Sequence, residues 1–275
     1  YTPVFIDEKT VSGQALGLEN VTEVKSLPCI SAFVGADLTA GLGFIEKPKD
    51  NKYNILIDLG TNAEILIYSK DKLLCTSAAA GPCFEGGNIS CGMSASDGAI
   101  FSFYIDKHKK ASYKTIENAY PKGICGTGLF DIVAELLKEN IIDETGYMSD
   151  EAFEITENVS FSQKDVRQFQ LAKSAVHSAI TTLMKLENIS FDNIDTLYIS
   201  GGFSQELNIN NAIFTGLLPK ETKEKIKALN NTSLSGTIKF SIDGKNPLDE
   251  FKSIEYIDLS ANSDFSESFI NNINF

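Results

Sequence analysis

Apolar and polar positions are most regularly arranged between Tyr53 and Ser77, YNILIDLGTNAEILIYSKDKLLCTS. Runs rich in Ile, Leu and Tyr at Tyr53–Leu59, Glu64–Tyr68 and Leu73–Ser77 are broken by Gly-Thr-Asn and Ser-Lys-Asp, which predicts a meander of three strands. Further on the period changes to that of a helix. Leu129, Ile132, Val133, Leu136 and Leu137 recur at helical spacing, so a helix is expected to start near Gly126. Val166, Phe169, Ala172, Val176, Ile180, Leu183 and Met184 form one stripe of a long helix over Ser162–Leu186, and the stripe reads as core. Strands are expected at Ala99–Ile105 and Ser112–Glu117 around the basic turn Lys107–Lys110, at Asp195–Ser200 and at Glu255–Leu259. Ser263–Ile270 reads as a closing helix, and Asn231–Ile242 as a capped helix whose β-branched content also suits a strand. In Ile30–Phe44, Phe33, Val34, Leu38 and Leu42 mark an apolar side while Gly35, Ala36, Ala40 and Gly41 keep the rest small. Two stretches read as irregular: Tyr1–Pro28, with one short strand at Thr22–Leu27, and the acidic Asp143–Ser160, expected to be a surface insertion.

Composition narrows the class. A chain of 275 residues with 43% hydrophobic and 22% charged residues has the make-up of a globular α/β protein. A formal net charge of −13 argues against nucleic acid or an anionic membrane as partner, since binders of either concentrate Lys and Arg. The apolar runs are shorter than the roughly 20 residues of a membrane span and no basic-then-apolar leader is present, so a cytoplasmic location is expected. The five cysteines make no C-x-x-C pair and read as reduced thiols, with Cys83 and Cys91 as ligands of an iron–sulfur cluster shared across a dimer the alternative. His108 and His177 lack neighbours at metal-ligand spacing. A first residue that is Tyr1 rather than Met reads as a fragment of a longer protein.

Candidate chemistry gathers at glycine-bearing turns. Asp58 ends an apolar strand, Gly60 lets a ligand approach the backbone, and Thr61 and Asn62 offer hydroxyl and amide groups. This is a phosphate cradle with a carboxylate at its lip, and Asp58 is the expected holder of Mg²⁺, directly or through water. As residues alone the same turn also suits an ordinary hairpin. Gly126-Thr127-Gly128, at a helix start, offers N–H donors to an anion or a ribose. Gly201-Gly202-Phe203 follows a buried strand, where backbone meets ligands at the carboxyl edge of a sheet. Asp37 either caps its helix or aims a carboxylate into a cleft. The small-residue loop Ala78–Gly98 is long enough to be functional and carries Glu85 as the one charged side chain of its first half.

Taken in order, these turns resemble the nucleotide-binding superfamily of actin, sugar kinases and heat-shock chaperones, with Asp58–Glu64 as its second phosphate hairpin, Gly201–Phe203 as its adenosine turn and Leu234–Thr237 in a connecting helix. FVGADLTAG at Phe33–Gly41, IDLGTNAE at Ile57–Glu64, AAGPCFEGGNI at Ala79–Ile89, ICGTGLFDIVAELL at Ile124–Leu137 and YISGGF at Tyr198–Phe203, with Gly216–Pro219 after them, resemble the carboxyl-terminal domain of the reductive activators of corrinoid-dependent enzymes. The resemblance implies an α/β, actin-like (ribonuclease H-like) ATPase fold with a central mixed sheet flanked by helices. Residues 1–50 would hold part of a first subdomain with a connecting helix, and residues 51–275 the second subdomain. It implies ATP and Mg²⁺ as cofactors and Asp58, Asp37 and Glu64 as catalytic carboxylates. Gly60, Thr61, Asn62, Gly126, Thr127, Gly128, Gly201, Gly202 and Phe203 would surround the nucleotide. A corrinoid protein is the implied partner, restored to its cob(I)alamin state, and a homodimer the implied assembly. A [2Fe–2S] cluster and the first phosphate hairpin are expected only in a domain upstream of Tyr1. A small-molecule kinase of the same fold and a non-catalytic corrinoid-protein docking module are the alternative readings.

Overall fold

The computed structural model describes residues 6–202 and 204–275. An antiparallel ribbon of β1 (Lys9–Ser12) and β2 (Glu23–Ser26) comes first, in a stretch expected to hold one short strand at most. β2 matches the short strand expected at Thr22–Leu27, whereas β1 is largely exposed and no alternation marks it in the sequence. Helix α1 (Ala36–Phe44) follows, then the meander: β3 (Tyr53–Leu59), β4 (Ala63–Tyr68) and β5 (Lys72–Ala78), within a residue of the expected bounds.

A small second sheet is formed by β6 (Ala99–Ile105), β7 (Ala111–Thr115) and β8 (Gly123–Ile124), leading into α2 (Gly126–Lys138). The supposed irregular insertion is corrected: β9 (Ala152–Thr156) and β10 (Val159–Ser162) pair as a hairpin. Val159 and Phe161 are fully buried, and the acidic residues around them hid a two-residue alternation too short to register. The long helix α3 (Gln163–Leu186) starts from a capping box in which the Ser162 hydroxyl accepts from the Asp165 N–H and the Asp165 carboxylate accepts from the Ser162 N–H. Then come β11 (Ile194–Ser200), α4 (Ile209–Phe214), β12 (Ile226–Ala228), α5 (Thr232–Asp243), β13 (Ser253–Tyr256) and α6 (Ser263–Asn271). Asn231 caps α5 by accepting from Leu234 N–H at 2.8 Å, and the helical alternative for 231–242 holds. Among the described residues no helix is long and apolar enough to cross a membrane.

The main sheet has the order β12-β11-β3-β4-β5-β13. β3, β4 and β5 are antiparallel neighbours, while β11, β12 and β13 join in parallel, which makes the sheet mixed. Alternation along the strands divides the core in two. Ile55, Ile57, Leu59, Ile65, Ile67, Leu197 and Ile199 face the layer of α2 and α3, where they join Phe130, Val133, Phe169, Val176 and Ile180. Leu56, Leu66, Leu73, Cys75 and Tyr198 face the other way and pack with Val34, Leu38 and Leu42 of α1 and its approach.

On that second face α1 and α5 cross almost backbone to backbone. A Cβ on Gly236 would stand 1.7 Å from the Ala40 carbonyl oxygen, and one on Gly41 would stand 2.8 Å from Thr232 Oγ1. Ala40 and Gly41, among the small residues of 30–44, therefore serve a helix contact. Replacing Gly236 by Ala gains about 1 kcal/mol of helix propensity, but the obstacle is a backbone carbonyl that cannot rotate away. Gly236→Ala is expected to be net destabilising by about 1–3 kcal/mol, read as a lower urea midpoint by circular dichroism; an unchanged or higher midpoint would mean that the two helices are free to separate.

Candidate active site

The Gly60-Thr61-Asn62 turn joins two paired strands, so its register decides which side chains meet. Asp58 pairs with Glu64 across β3 and β4, Glu64 with Ser77 across β4 and β5, and Asp58 with Ser200 across β3 and β11. Directly paired residues point to the same face of a sheet. Ser200, Asp58, Glu64 and Ser77 thus form one polar row across four strands, at the carboxyl ends of β3 and β11, on the face covered by α1. Asp37 lies in the first turn of α1. Its N-cap is Gly35, with no side-chain bond, so the capping role for Asp37 is not the one adopted.

The electrostatics of the row are strained. Burial is the main cause that raises the Asp58 carboxyl above its ordinary range; the Ser200 hydroxyl opposes this and repulsion from Asp37 adds to it. Glu64 is raised from 4.5 to about 7, first by burial, then by the charges of Asp58 and Asp37, against its own backbone N–H and Ser77. Ser77 Oγ lies 3.4 Å from Glu64 Oε1. Glu85, on the loop after β5, approaches the turn from another side and accepts the Thr61 hydroxyl. Among the described residues none of these four carboxylates forms an ion pair with Lys or Arg.

A cleft of about 800 Å³ opens beside Asp58, lined by Gly201, Gly202, Ser204, Asn231, Thr232 and Ser235 among others. Gly201 has φ +114°, and a Cβ there would lie 2.4 Å from the Leu59 carbonyl and 3.2 Å from Asp58 Oδ1. Its glycine serves chain packing, whereas a Cβ on Gly202 would meet nothing within 4 Å and Gly202 opens to the cleft. The Gly201 turn is closed by Ser204, whose hydroxyl donates to Gly201 O at 3.0 Å. Phe203 lies outside the described residues. In the Gly60–Asn62 turn, Gly60 N–H is already taken by Asn62 O at 3.0 Å, while Thr61 and Asn62 are exposed.

Gly126, Thr127 and Gly128 are placed differently from the others. All three are buried, and a Cβ on Gly128 would stand 2.1 Å from Ile100 O. Gly128 lets α2 lie directly on β6, and none of the three lines the cleft beside Asp58. Cys83 is buried with its thiol pushed up to about 12 by burial, and no metal-holding group of three or more His, Cys, Asp or Glu is found among the described residues. Sequence reasoning missed Ser200, Ser77, Asn231 and Thr232. Ser77 follows from the meander register once the turns are set, but Ser200 comes by parallel pairing and the α5 start by packing, neither of which leaves a local signal.

A mixed sheet with a glycine turn, an acidic row and a cleft at its carboxyl edge is the arrangement of an actin-like fold. Residues 52–275 match the family model described as the C-terminal domain of RACo, the ASKHA domain, and the chain belongs to that family. It is 32% identical over 241 residues to the corrinoid activation enzyme RamQ of Eubacterium limosum, an alignment covering 78% of this chain and 40% of that protein. It is 28% identical over 232 residues to the Co(II) methylated amine-specific corrinoid protein reductase of Methanosarcina barkeri, covering 76% and 42%. A solved reductive activator for a corrinoid, iron–sulfur protein superposes with a TM-score of 0.90 at 29% identity, covering 100% of this chain and 48% of that one. The chain spans less than half the length of each of these relatives.

The raised Glu64 carboxyl has a measurable consequence. The folded protein keeps this proton in a range where the unfolded chain has released it, so the contribution is full below the unfolded value of 4.5 and is lost as pH rises through about 7. Asp58 is raised in the same direction. Urea midpoints taken from about pH 4.5 to 8 are expected to decline less steeply in Glu64→Gln than in the wild type; parallel profiles would mean that Glu64 ionises in the folded state as it does in the unfolded chain.

Proposed function

We propose that this chain is the ATP-binding and ATP-hydrolysing domain of a reductive activator, which helps drive an electron onto the inactive cob(II)alamin of a corrinoid protein and so restores cob(I)alamin. The observation that carries the proposal is the row of Asp58 and Glu64 beneath the Gly60–Asn62 turn, beside a cleft lined by Gly201 and Gly202. Membership of the family and the corrinoid relatives support it.

The residues present suit Mg²⁺. A hard cation takes oxygen donors and typically one or two carboxylates, completing its shell with phosphate and water. Asp58 and Glu64 are partly buried, repel each other and have no cationic side chain to neutralise them, so a cation held by Asp58 would relieve a cost the fold already bears. When bound, Mg²⁺ supplies charge neutralisation at the phosphate oxygens. The protein's own part is positioning. The Gly60–Asn62 turn would lie against the phosphates, and Gly202 with the start of α5 would flank the nucleoside. Asp37 or Glu64 would orient the attacking water, and a carboxyl near 7 such as Glu64 is suited to take its proton. On this reading residues 51–275 form one side of the cleft, and α1, packed on their main sheet and crossed by α5, belongs with that same side. Closure would pass the nucleotide state through α1 and α5 to the redox partner.

Asp58→Asn in the intact protein is the direct test. It removes a partly buried charge that desolvation and repulsion already disfavour, so thermal stability near neutral pH is expected to hold or rise. Mg²⁺-dependent ATP hydrolysis is expected to fall about 10–100-fold. Full hydrolysis by this variant would remove the proposed metal role, and loss of folding would make Asp58 a structural residue instead.

A further inference from the structure

The loop between β5 and β6 contributes nothing to the site beyond Glu85, yet it is built to hold that one side chain. Phe84, next to it, is 1% exposed and stacks on Phe130 at 5.1 Å, with Phe169 edge-on at 6.0 Å. Gly86 and Gly92 bring the loop against itself: a Cβ on Gly92 would lie 1.9 Å from Gly86 O, and one on Gly86 would lie 2.4 Å from Met93 O. The far side is pinned to α3, where the fully buried Asp165 accepts from Ser90 N–H at 2.7 Å and from its hydroxyl at 3.0 Å. The outcome of this rigidity is an exposed carboxylate held on the phosphate turn. Glu85 Oε1 lies 4.0 Å from where a Gly60 Cβ would be, and Oε2 accepts the Thr61 hydroxyl.

That bond fixes what Thr61 has left to offer. A threonine hydroxyl has one proton and two lone pairs. With the proton given to Glu85, Thr61 Oγ1 cannot also donate to a phosphate oxygen, which is itself only an acceptor. What Oγ1 still presents is lone pairs, and a divalent cation takes oxygen donors of that kind. A phosphate brought to this turn without a cation would instead meet the carboxylate of Glu85 as a like charge.

We propose that Glu85 is a positioning residue: by taking the Thr61 hydroxyl proton it makes Thr61 Oγ1 a lone-pair donor toward the divalent cation that accompanies the nucleotide. The inference rests on the nucleotide reading of the preceding subsection and assigns within it a task to a loop that reading leaves unused. The bond also sets Thr61 apart from Asn62, which keeps the phosphate-facing task.

The test uses the intact protein, a non-hydrolysable ATP analogue and Mn²⁺, whose free concentration is read by electron paramagnetic resonance. Wild type, Glu85→Gln and Thr61→Ala are compared, each first for analogue binding without metal and then for Mn²⁺ binding to the analogue complex. Both variants are expected to bind Mn²⁺ about tenfold or more weakly, with the double variant no weaker than Thr61→Ala alone. Metal-free analogue binding by Glu85→Gln should be unchanged or tighter, because a repelling charge is gone. Unaltered Mn²⁺ affinity in Glu85→Gln would overturn the proposal while leaving nucleotide binding intact. An equal loss of metal-free binding would overturn it in favour of a purely structural loop. If the wild type binds no analogue at all, the nucleotide reading fails and this inference with it.

Discussion

Strand register is the constraint on which the rest of this domain depends. A one-residue slip in β3 against β4 would turn every side chain to the opposite face. Ile55, Ile57 and Leu59 would leave the α2–α3 core, and Asp58 would enter it. The burial of some forty apolar residues on that side therefore holds Asp58 and Glu64 opposite one another on the other. The site is a by-product of the core's register, and the core is too large to let the register drift.

The same constraint explains why the acidic row persists at a cost. Asp58 and Glu64 would each be more comfortable in water, and both are raised by burial before any charge is considered. Their strain is concentrated where the sheet meets α1 and where a ligand would bring positive charge. Stability given up at one place and retained elsewhere is the usual pattern of a functional site. The crossing of α1 and α5 adds a second tight constraint beside it. Contacts through Ala40, Gly41, Thr232 and Gly236 leave no side-chain padding, so a shift of one helix must be felt by the other.

Glycines in this chain carry two different messages that look alike as letters. Gly202 opens to the cleft, while Gly128, Gly201 and Gly236 are glycine because a backbone atom of another element occupies the space of a Cβ. In Gly126-Thr127-Gly128, which the motif marks as a ligand cradle, the Ile100 carbonyl accounts for Gly128 by packing. Glycine signals close approach, and only tertiary structure says of what.

The meander, the helices at 126–138, 163–186 and 232–243, the capping residues and the family could all be read in the sequence, because each rests on local periodicity or on a motif. Asp58 opposite Glu64 was also within reach, since a three-residue hairpin turn sets its own register. The exposed strand β1 and the hairpin β9–β10 were not, for lack of a sustained alternation, although β2 was expected at Thr22–Leu27. Ser200 beside Asp58, the α5 start at the cleft, and Glu85 on Thr61 join residues far apart along the chain. Those meetings depend on parallel pairing and on how a loop folds back, which no local pattern encodes, so the tertiary structure alone decided them.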